Sequence, residues 1–501
     1  MKQFAARLVC IAVAAQIAGL VPMVPGASAA GAPWSPPDGE AWRYQLLHES
    51  GYVDDCPPCA ARPTLEWPLR GSFQLTPGDS NPLFQRYALT GVRLTVGGGP
   101  PGGILLEGSG TLEVGGEVAL IHRLTLRLAV QTDTGREIVD FDSGPQPGEP
   151  QWPWLDLKVS EVDPRLTRVL SLHFDAMPIR DLWFSTRNGF TASLPGPDPV
   201  RVSGGELVSD QGRVVVTLDD IRSALQLTEP TDLMNLDAAD VTTGGVVEFS
   251  LGADAVSGTL GTVHHGDLVS LAGQRVAGYP EFGAAIAPEP PTPDLGLDAV
   301  QQRSDGTRLF STQEAVFSER LGTVVGRGDL MSSTGKLHAT NRELLKAFHP
   351  LNPDQDYGLD AVFVWPTGEV WFSTEDSVAL EGGRFLLDGD LLSSTGRILY
   401  GNLELLQQFS PLEDTFNFGL DALVIATDAT DPVPEPPVAR LQVDDAQAEA
   451  RLEWTGKGRF FQVEGAAAVS GPYAPVTPVV AGSGYTIPIS GTTAYFRVRQ
   501  W

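Results

Sequence analysis

The chain has 501 residues, more than one hydrophobic core usually accommodates, so several domains are expected. Its 62 acidic residues against 34 basic ones leave a net charge of -28. A surface of that sign repels phosphate backbones and anionic bilayers, which argues against nucleic acid as a partner.

Lys2 and Arg7 precede the apolar run LVCIAVAAQIAGL, and Ala27, Ser28 and Ala29 supply small residues for a signal-peptidase cleft. This layout predicts a secretory signal over 1–29 and an exported product, extracellular or periplasmic. No later stretch approaches the ~20 apolar residues of a membrane span. Cys10 leaves with the signal, so Cys56 and Cys59 in DDCPPCA remain. A CxxC pair serves as a redox site, half a zinc site or a local disulfide. No helix-forming stretch follows, no second CxxC completes a zinc set, and Ala60 stands where haem attachment needs His, so a structural disulfide or plain turn is expected.

Residues 41–165 contain alternating segments such as RLTLRLAV, where Leu124, Leu126, Leu128 and Val130 share one face. With SFQLT, VRLTV and LDLKV, separated by Gly and Pro turns, they predict a β-sandwich. GGGPPGG at 97–103 satisfies GxGxxG through Gly97, Gly99 and Gly102, but the following ILLEGSGTLEV reads as strand rather than helix, so a turn is expected.

Beyond this domain the chain repeats itself. Asp175 in HFDAM, Asp237 in LDAAD, Asp298 in LDAVQ, Asp360 in LDAVF and Asp421 in LDALV stand 62, 61, 62 and 61 residues apart. A second marker begins at Gly205, Gly266, Gly328 and Gly389 as GELVSDQG, GDLVSLAG, GDLMSSTG and GDLLSSTG. A third, WFST, EFSL, LFST and WFST, centres on Phe184, Phe249, Phe310 and Phe372. In the fourth copy DAVFVW and EVWFST form one hairpin and DLLSSTGRILY another, with Gly396 in its turn. NLELLQQF then predicts a short helix with Asn402 as cap and Leu405, Leu406 and Phe409 on one face. Ile221, Leu225, Phe282, Ile286, Leu344, Leu345 and Phe348 hold matching positions in the other copies.

A unit of four short strands and a helix leaves an apolar face that only a neighbouring unit can cover, and radial stacking of such units gives a β-propeller. The units expected near 172–234, 235–295, 296–357 and 358–419, with a strand at 420–427, resemble hemopexin-like four-bladed propellers, which also open each blade on a "DA" strand and close it with a helix. They are longer than that family's blades and lack the cysteines that join its first blade to its last. The extra strand either closes the ring or signals a different blade count. The repeats are also similar in style to those of secreted bacterial proteins. The expected overall fold is thus all-β: a sandwich, a propeller of about four repeats over 172–428, a Pro-rich linker at 429–437 and a tail at 438–501. LEW, RFFQVE and AYFRVRQW in that tail read as strands around Trp454, and the tail resembles a short fibronectin type III domain, which implies an accessory module.

The evenly repeated acids are the leading site candidates. Symmetric carboxylates about an axis suit a hard cation such as calcium. The family resemblance carries a channel ion to Asp175, Asp237, Asp298 and Asp360. The competing reading is that these acids, like Glu206, Asp267, Asp329 and Asp390 of the second marker, accept backbone N–H groups at turns. His264 and His265 interrupt the repeat where sister units carry Gly326 and Arg327 or Leu387 and Asp388. They read as a metal or proton-transfer site or as an exposed turn. The recurring Phe residues fit core packing better than a glycan platform, with Trp183 and Trp371 on the other side. There is no GxSxG elbow, no HExxH, and no cysteine with a plausible His partner. The expectation is a secreted, non-catalytic binding or structural protein, monomeric, acting on an extracellular protein or glycan. The alternative is a carbohydrate-active enzyme using paired propeller carboxylates.

Overall fold

The computed structural model describes residues 41–59, 64–97, 103–116, 120–147, 154–165, 167–179, 181–194, 198–228, 235–242, 244–289, 294–426, 437–444, 449–456, 458–469, 473–488 and 495–500. The signal expected at 1–29, Gly99 and Gly102 of the glycine-rich turn, and linker residues 429–436 lie outside them.

The N-terminal domain is built from β1 (Trp42–Leu46), β2 (Gly51–Asp55), β3 (Leu65–Ser80), β4 (Phe84–Val96), β5 (Ile104–Gly115), β6 (Ile121–Thr132), β7 (Gly135–Asp142), β8 (Gln146–Pro147), β9 (Leu155–Glu161) and β10 (Val169–Pro178). β1 and β2 act as one interrupted strand between β3 and β10: Tyr44 pairs with Phe73 and Pro178, and Tyr52 with Trp67 and Leu172. Pairing then runs from β3 through β7 to β9, and β9 returns to β10. The sheet therefore closes on itself as an antiparallel barrel, which corrects the expected two-sheet sandwich. Alternation alone cannot separate the two, because both bury every second residue. What lets these 12- to 16-residue strands curl is local: β3, β4 and β5 carry register shifts. At Gly108 an added Cβ would sit 2.1 Å from the Arg127 carbonyl oxygen. Tyr44, Tyr52, Phe73, Phe141 and Phe174 fill the interior. The Cys56 and Cys59 sulfurs are joined as a disulfide, and Cys59 N donates to Cys56 O (2.9 Å) in the turn that follows β2.

Four four-stranded sheets follow. Sheet II runs Ala239–Val241, Val247–Phe249, Leu268–Ser270, Arg275–Ala277; sheet III runs Ala299–Gln302, Arg308–Ser311, Leu330–Ser332, Leu337–Ala339; sheet IV runs Ala361–Val364, Val370–Ser373, Leu391–Ser393, Arg397–Tyr400. Sheet I takes Leu182–Ser185, Leu207–Ser209 and Arg213–Val216 from the start of the repeats and its first strand, Ala422–Ile425, from their end. The extra strand thus completes the first sheet, with Leu182 opposite Ile425 and Ser185 opposite Ala422. The first strands of the four sheets adjoin one another in cyclic order, I to II to III to IV and back to I.

One residue per unit fastens this circle. Ser185 Oγ donates to Leu236 O (2.8 Å), Ser250 to Leu297 O (2.8 Å), Ser311 to Leu359 O (2.9 Å) and Ser373 to Leu420 O (2.9 Å). Each bond crosses from one sheet to the next, and the acceptor is the carbonyl immediately before the next unit's aspartate. Buried carbonyls need such partners, so the serine of the aromatic marker is fixed by satisfaction of its neighbour's backbone.

The helices are Leu218–Leu225, Tyr279–Ile286, Asn341–Leu345 and Asn402–Leu405. Each unit ends its helical segment in a left-handed residue, Gln226, Ala287, His349 or Ser410. Asn402 is the first helical residue rather than the expected cap, which is Gly401. Its amide instead ties the helix to the segment leading into the closing strand: Nδ2 donates to Gly419 O (3.1 Å) and Oδ1 accepts from Phe418 N (2.8 Å). The units are longer than four strands and a helix require, because each inserts a small pairing between its second and third strands, such as Ala255–Ser257 with Gly261–Val263.

The C-terminal module has two three-stranded sheets, Val438–Asp444, Glu449–Thr455, Gly484–Pro488 and Ala474–Pro475, Phe461–Ala466, Tyr495–Gln500, packed over Leu452, Trp454, Phe461, Val463 and Ile487. Both flanking modules dock on a tryptophan at one repeat position. Trp183 of sheet I meets Phe460 of the C-terminal module at 5.7 Å between ring centres, and Trp371 of sheet IV meets Trp154 beside the barrel at 6.4 Å. The sister positions hold Glu248 and Leu309.

Candidate functional site

Asp237, Asp298, Asp360 and Asp421, all buried, stand one or two residues before the four first strands. The leucine before each aspartate is fully buried and gives its carbonyl to the serine bond, which sets the aspartate at the inner edge of its sheet. Asp175 does not join them, which corrects the expected set. It keeps the 62-residue spacing, but the alternation of Leu170, Leu172, Phe174 and Ala176 commits that segment to the barrel core as β10. There Asp175 lies 3.6 Å from Arg397 of sheet IV, and burial pushes its carboxyl up to about 7. Asp421 takes the fourth place in the circle.

Side chains from the turns after the second strands of sheets I, III and IV reach into this cluster, and Arg327, from the turn before the third strand of sheet III, joins them. Arg187 Nη2 donates to Asp360 Oδ2 (2.6 Å) and Nη1 to Glu375 O (3.1 Å). Its guanidinium also stands 3.5 Å from Asp421 and 3.6 Å from Asp388. Gln313 donates to Asp237, and Arg327 pairs with Glu375 and with Asp376 (3.1 Å). Asp298 is 7% exposed, and its Oδ2 has no hydrogen-bond partner among the described residues.

Removing these carboxyls from water disfavours their charged form, and mutual repulsion adds to it. Burial lifts Asp237 to about 6 and Asp421 to about 7. Asp298, shielded from water and facing Asp360 and Asp237, is raised well above the ordinary range, as is Asp360. Burial opposes the charge on Arg187, but Asp360, Asp421 and Asp388 outweigh it and hold the guanidinium protonated. One oxygen each of Asp298, Asp360 and Glu375 lie within 4.8 Å of one another, a hard-oxygen set of the type that calcium takes.

The acids of the second marker have a different occupation. Asp267 accepts from His264 N (3.0 Å) and Tyr279 N (2.9 Å), and Asp329 from Gly326 N (2.9 Å) and Asn341 N (3.0 Å). Asp390 does the same with Leu387 N and Asn402 N, and Glu206 with Ser203 N and Leu218 N. These four tie a turn to the start of a helix. His264 and His265 sit on that turn in sheet II and face Asp254. Phe184, Phe249, Phe310 and Phe372 are fully buried, so they form no exposed aromatic platform.

Sequence reasoning missed Arg187, Gln313 and Glu375. They occupy a single repeat column, directly after the serine marker, which reads Arg187, Gly252, Gln313 and Glu375. The signal was a variable column two residues after the invariant serine. Glycines make room for these side chains: Gly296, Gly358 and Gly419 have φ of 72°, 73° and 75°, and a Cβ on Gly358 would meet the Glu375 side chain at 2.5 Å. No family model matches this chain, and no curated protein matches it either.

Proposed function

We propose that this is an exported, non-catalytic binding protein whose four repeat sheets are the blades of a propeller, with a cation held at the mouth of its central channel. The flanking barrel and a fibronectin type III-like tail act as accessory modules, and the partner is an extracellular protein or glycan. The observation that carries the cation is the buried Asp298 oxygen left without a donor beside Asp360 and Glu375. A buried carboxylate with no donor is costly, and a bound ion or proton removes that cost. Asp298, Asp360 and Glu375 would hold calcium, which supplies fixed positive charge where Arg187 does not reach. The cyclic serine bonds support the closed arrangement that the channel requires.

Thermal unfolding with calcium and with chelator tests this reading. At a calcium concentration of about 100 times Kd the folded state gains about 2.7 kcal/mol. The melting temperature should rise with calcium, fall with chelator, and lose both responses in Asp298→Asn. A melting curve indifferent to calcium and chelator would retire the ion. Binding of wild type to a glycan and secreted-protein panel, with no turnover of any polysaccharide offered, is expected; turnover would favour the enzyme alternative.

A further inference from the structure

The turn of sheet II that carries His264 and His265 differs from its sisters on both of the loops that meet there. Where this unit has His264 and His265, the others have Ser203 and Gly204, Gly326 and Arg327, or Leu387 and Asp388. Where it has Asp254, the others have Gly189, Ala315 and Ser377. These substitutions lie on separate loops and converge in space. His264 Nδ1 is 3.0 Å from Asp254 Oδ2, and His265 Nδ1 is 2.9 Å from Asp254 Oδ1 and 3.4 Å from Asp294 Oδ2. Asp294 is half-buried and accepts from Gly266 N (3.1 Å) and Gly296 N (3.0 Å), which fixes one side of the cluster.

We infer that His264, His265, Asp254 and Asp294 form a binding site for a divalent transition cation of the zinc type, separate from the carboxylate circle. The donor set decides the ion class. Imidazole nitrogens favour zinc, copper or nickel, whereas calcium and magnesium take oxygen alone. Spacing agrees: zinc bonds of about 2.0–2.1 Å in a tetrahedron put neighbouring donors roughly 3.3 Å apart. Three donor pairs in the cluster already stand 2.9 to 3.4 Å apart, and Asp254, His264 and Asp294 all offer atoms within 4.8 Å of one another. The Asp254 carboxylate bonds both rings and holds them on the turn. The His264 and Tyr279 rings meet in a T-shaped contact at 5.0 Å between centres.

The test uses full-length, untagged protein stripped of metal and titrated with zinc in saturating calcium, so that the carboxylate circle does not compete. Calorimetry should find one zinc per chain. His264→Ala and Asp254→Asn should each weaken binding by about tenfold or more. His265→Arg, which copies the sister turn's Arg327 and keeps the surface charged, should do the same. His338→Ala, an exposed histidine elsewhere in the repeats, should bind as wild type does. Cobalt-loaded wild type should show the visible bands of a tetrahedral site and His264→Ala should not. Failure of wild type to take zinc, or undiminished binding by His264→Ala, Asp254→Asn and His265→Arg, would overturn the assignment.

Discussion

Arg187→Met removes the positive charge that, among the described residues, contacts the circle of Asp237, Asp298, Asp360 and Asp421 directly, and its consequences can be worked from the geometry. The guanidinium holds Asp360 at 2.6 Å and faces Asp421 at 3.5 Å, so its loss strands two buried carboxyls. Breaking a buried ion pair from one side costs about 3–5 kcal/mol. The Arg187 side chain is 33% exposed, so water offsets part of that, and about 2 kcal/mol is expected. For a cooperative unit of the size of the four sheets this lowers Tm by about 4–8 °C. The deficit depends on pH with a definite sign. Asp421 titrates at about 7 in the folded chain, above the ordinary 3.8. A raised carboxyl means that the folded state binds the extra proton, so stability from this group is greatest below the unfolded value and falls as pH rises towards 7. The variant should therefore be nearest to wild type at pH 5 and furthest at pH 8, and calcium should recover part of the gap. Thermal melts of both proteins at pH 5, 6, 7 and 8, with and without calcium, are the assay. A variant melting within a degree of wild type at pH 8 would refute the electrostatic account of the circle.

Further consequences are open to measurement. Ser311→Ala removes the bond to Leu359 O and leaves a buried carbonyl unpaired, for an expected loss of about 1–3 kcal/mol in chemical denaturation; the matching Ser250→Ala should cost a similar amount at its own junction. Trp183→Ala should free the C-terminal module, seen as faster proteolytic release of that module than from wild type, while the barrel stays attached through Trp371 and Trp154. Ending the chain before Leu420 deletes the first strand of sheet I, exposing the edge of Leu182–Ser185, and should cause loss of cooperative unfolding and aggregation.

Much of the fold was legible because it is periodic. The DA, GDL and aromatic markers carry buried strands, and their spacing gave the unit, its helix and its apolar positions. Two things were hidden. Asp175 satisfied the period yet belongs to the barrel, because strand partnership depends on contacts distant in sequence, and the segment from Leu170 to Ala176 found better partners in β2 and β9. The expected sandwich failed for a related reason: alternation reports which face is buried, not whether the sheet closes. At the candidate site the invariant aspartates were visible in the sequence, but Arg187 and Glu375 were not. Arg187 lies 173 positions from Asp360 and meets it only when the circle closes, and Glu375, 15 positions from Asp360 in the same unit, gains its role from Asp298 of the preceding unit. His264 and His265 stood out as a break in the pattern, whereas Asp254 gained meaning only when the two loops were seen to meet.

The exchange of Asp421 for Asp175 in the carboxylate circle is the point on which the account turns, and calcium calorimetry on two variants tests it. Asp421→Asn should weaken calcium binding, since Asp421 lies within the electrostatic reach of Asp298 and Asp360, whereas Asp175→Asn should bind calcium as wild type does. Loss of calcium binding in Asp175→Asn with full retention in Asp421→Asn would contradict it.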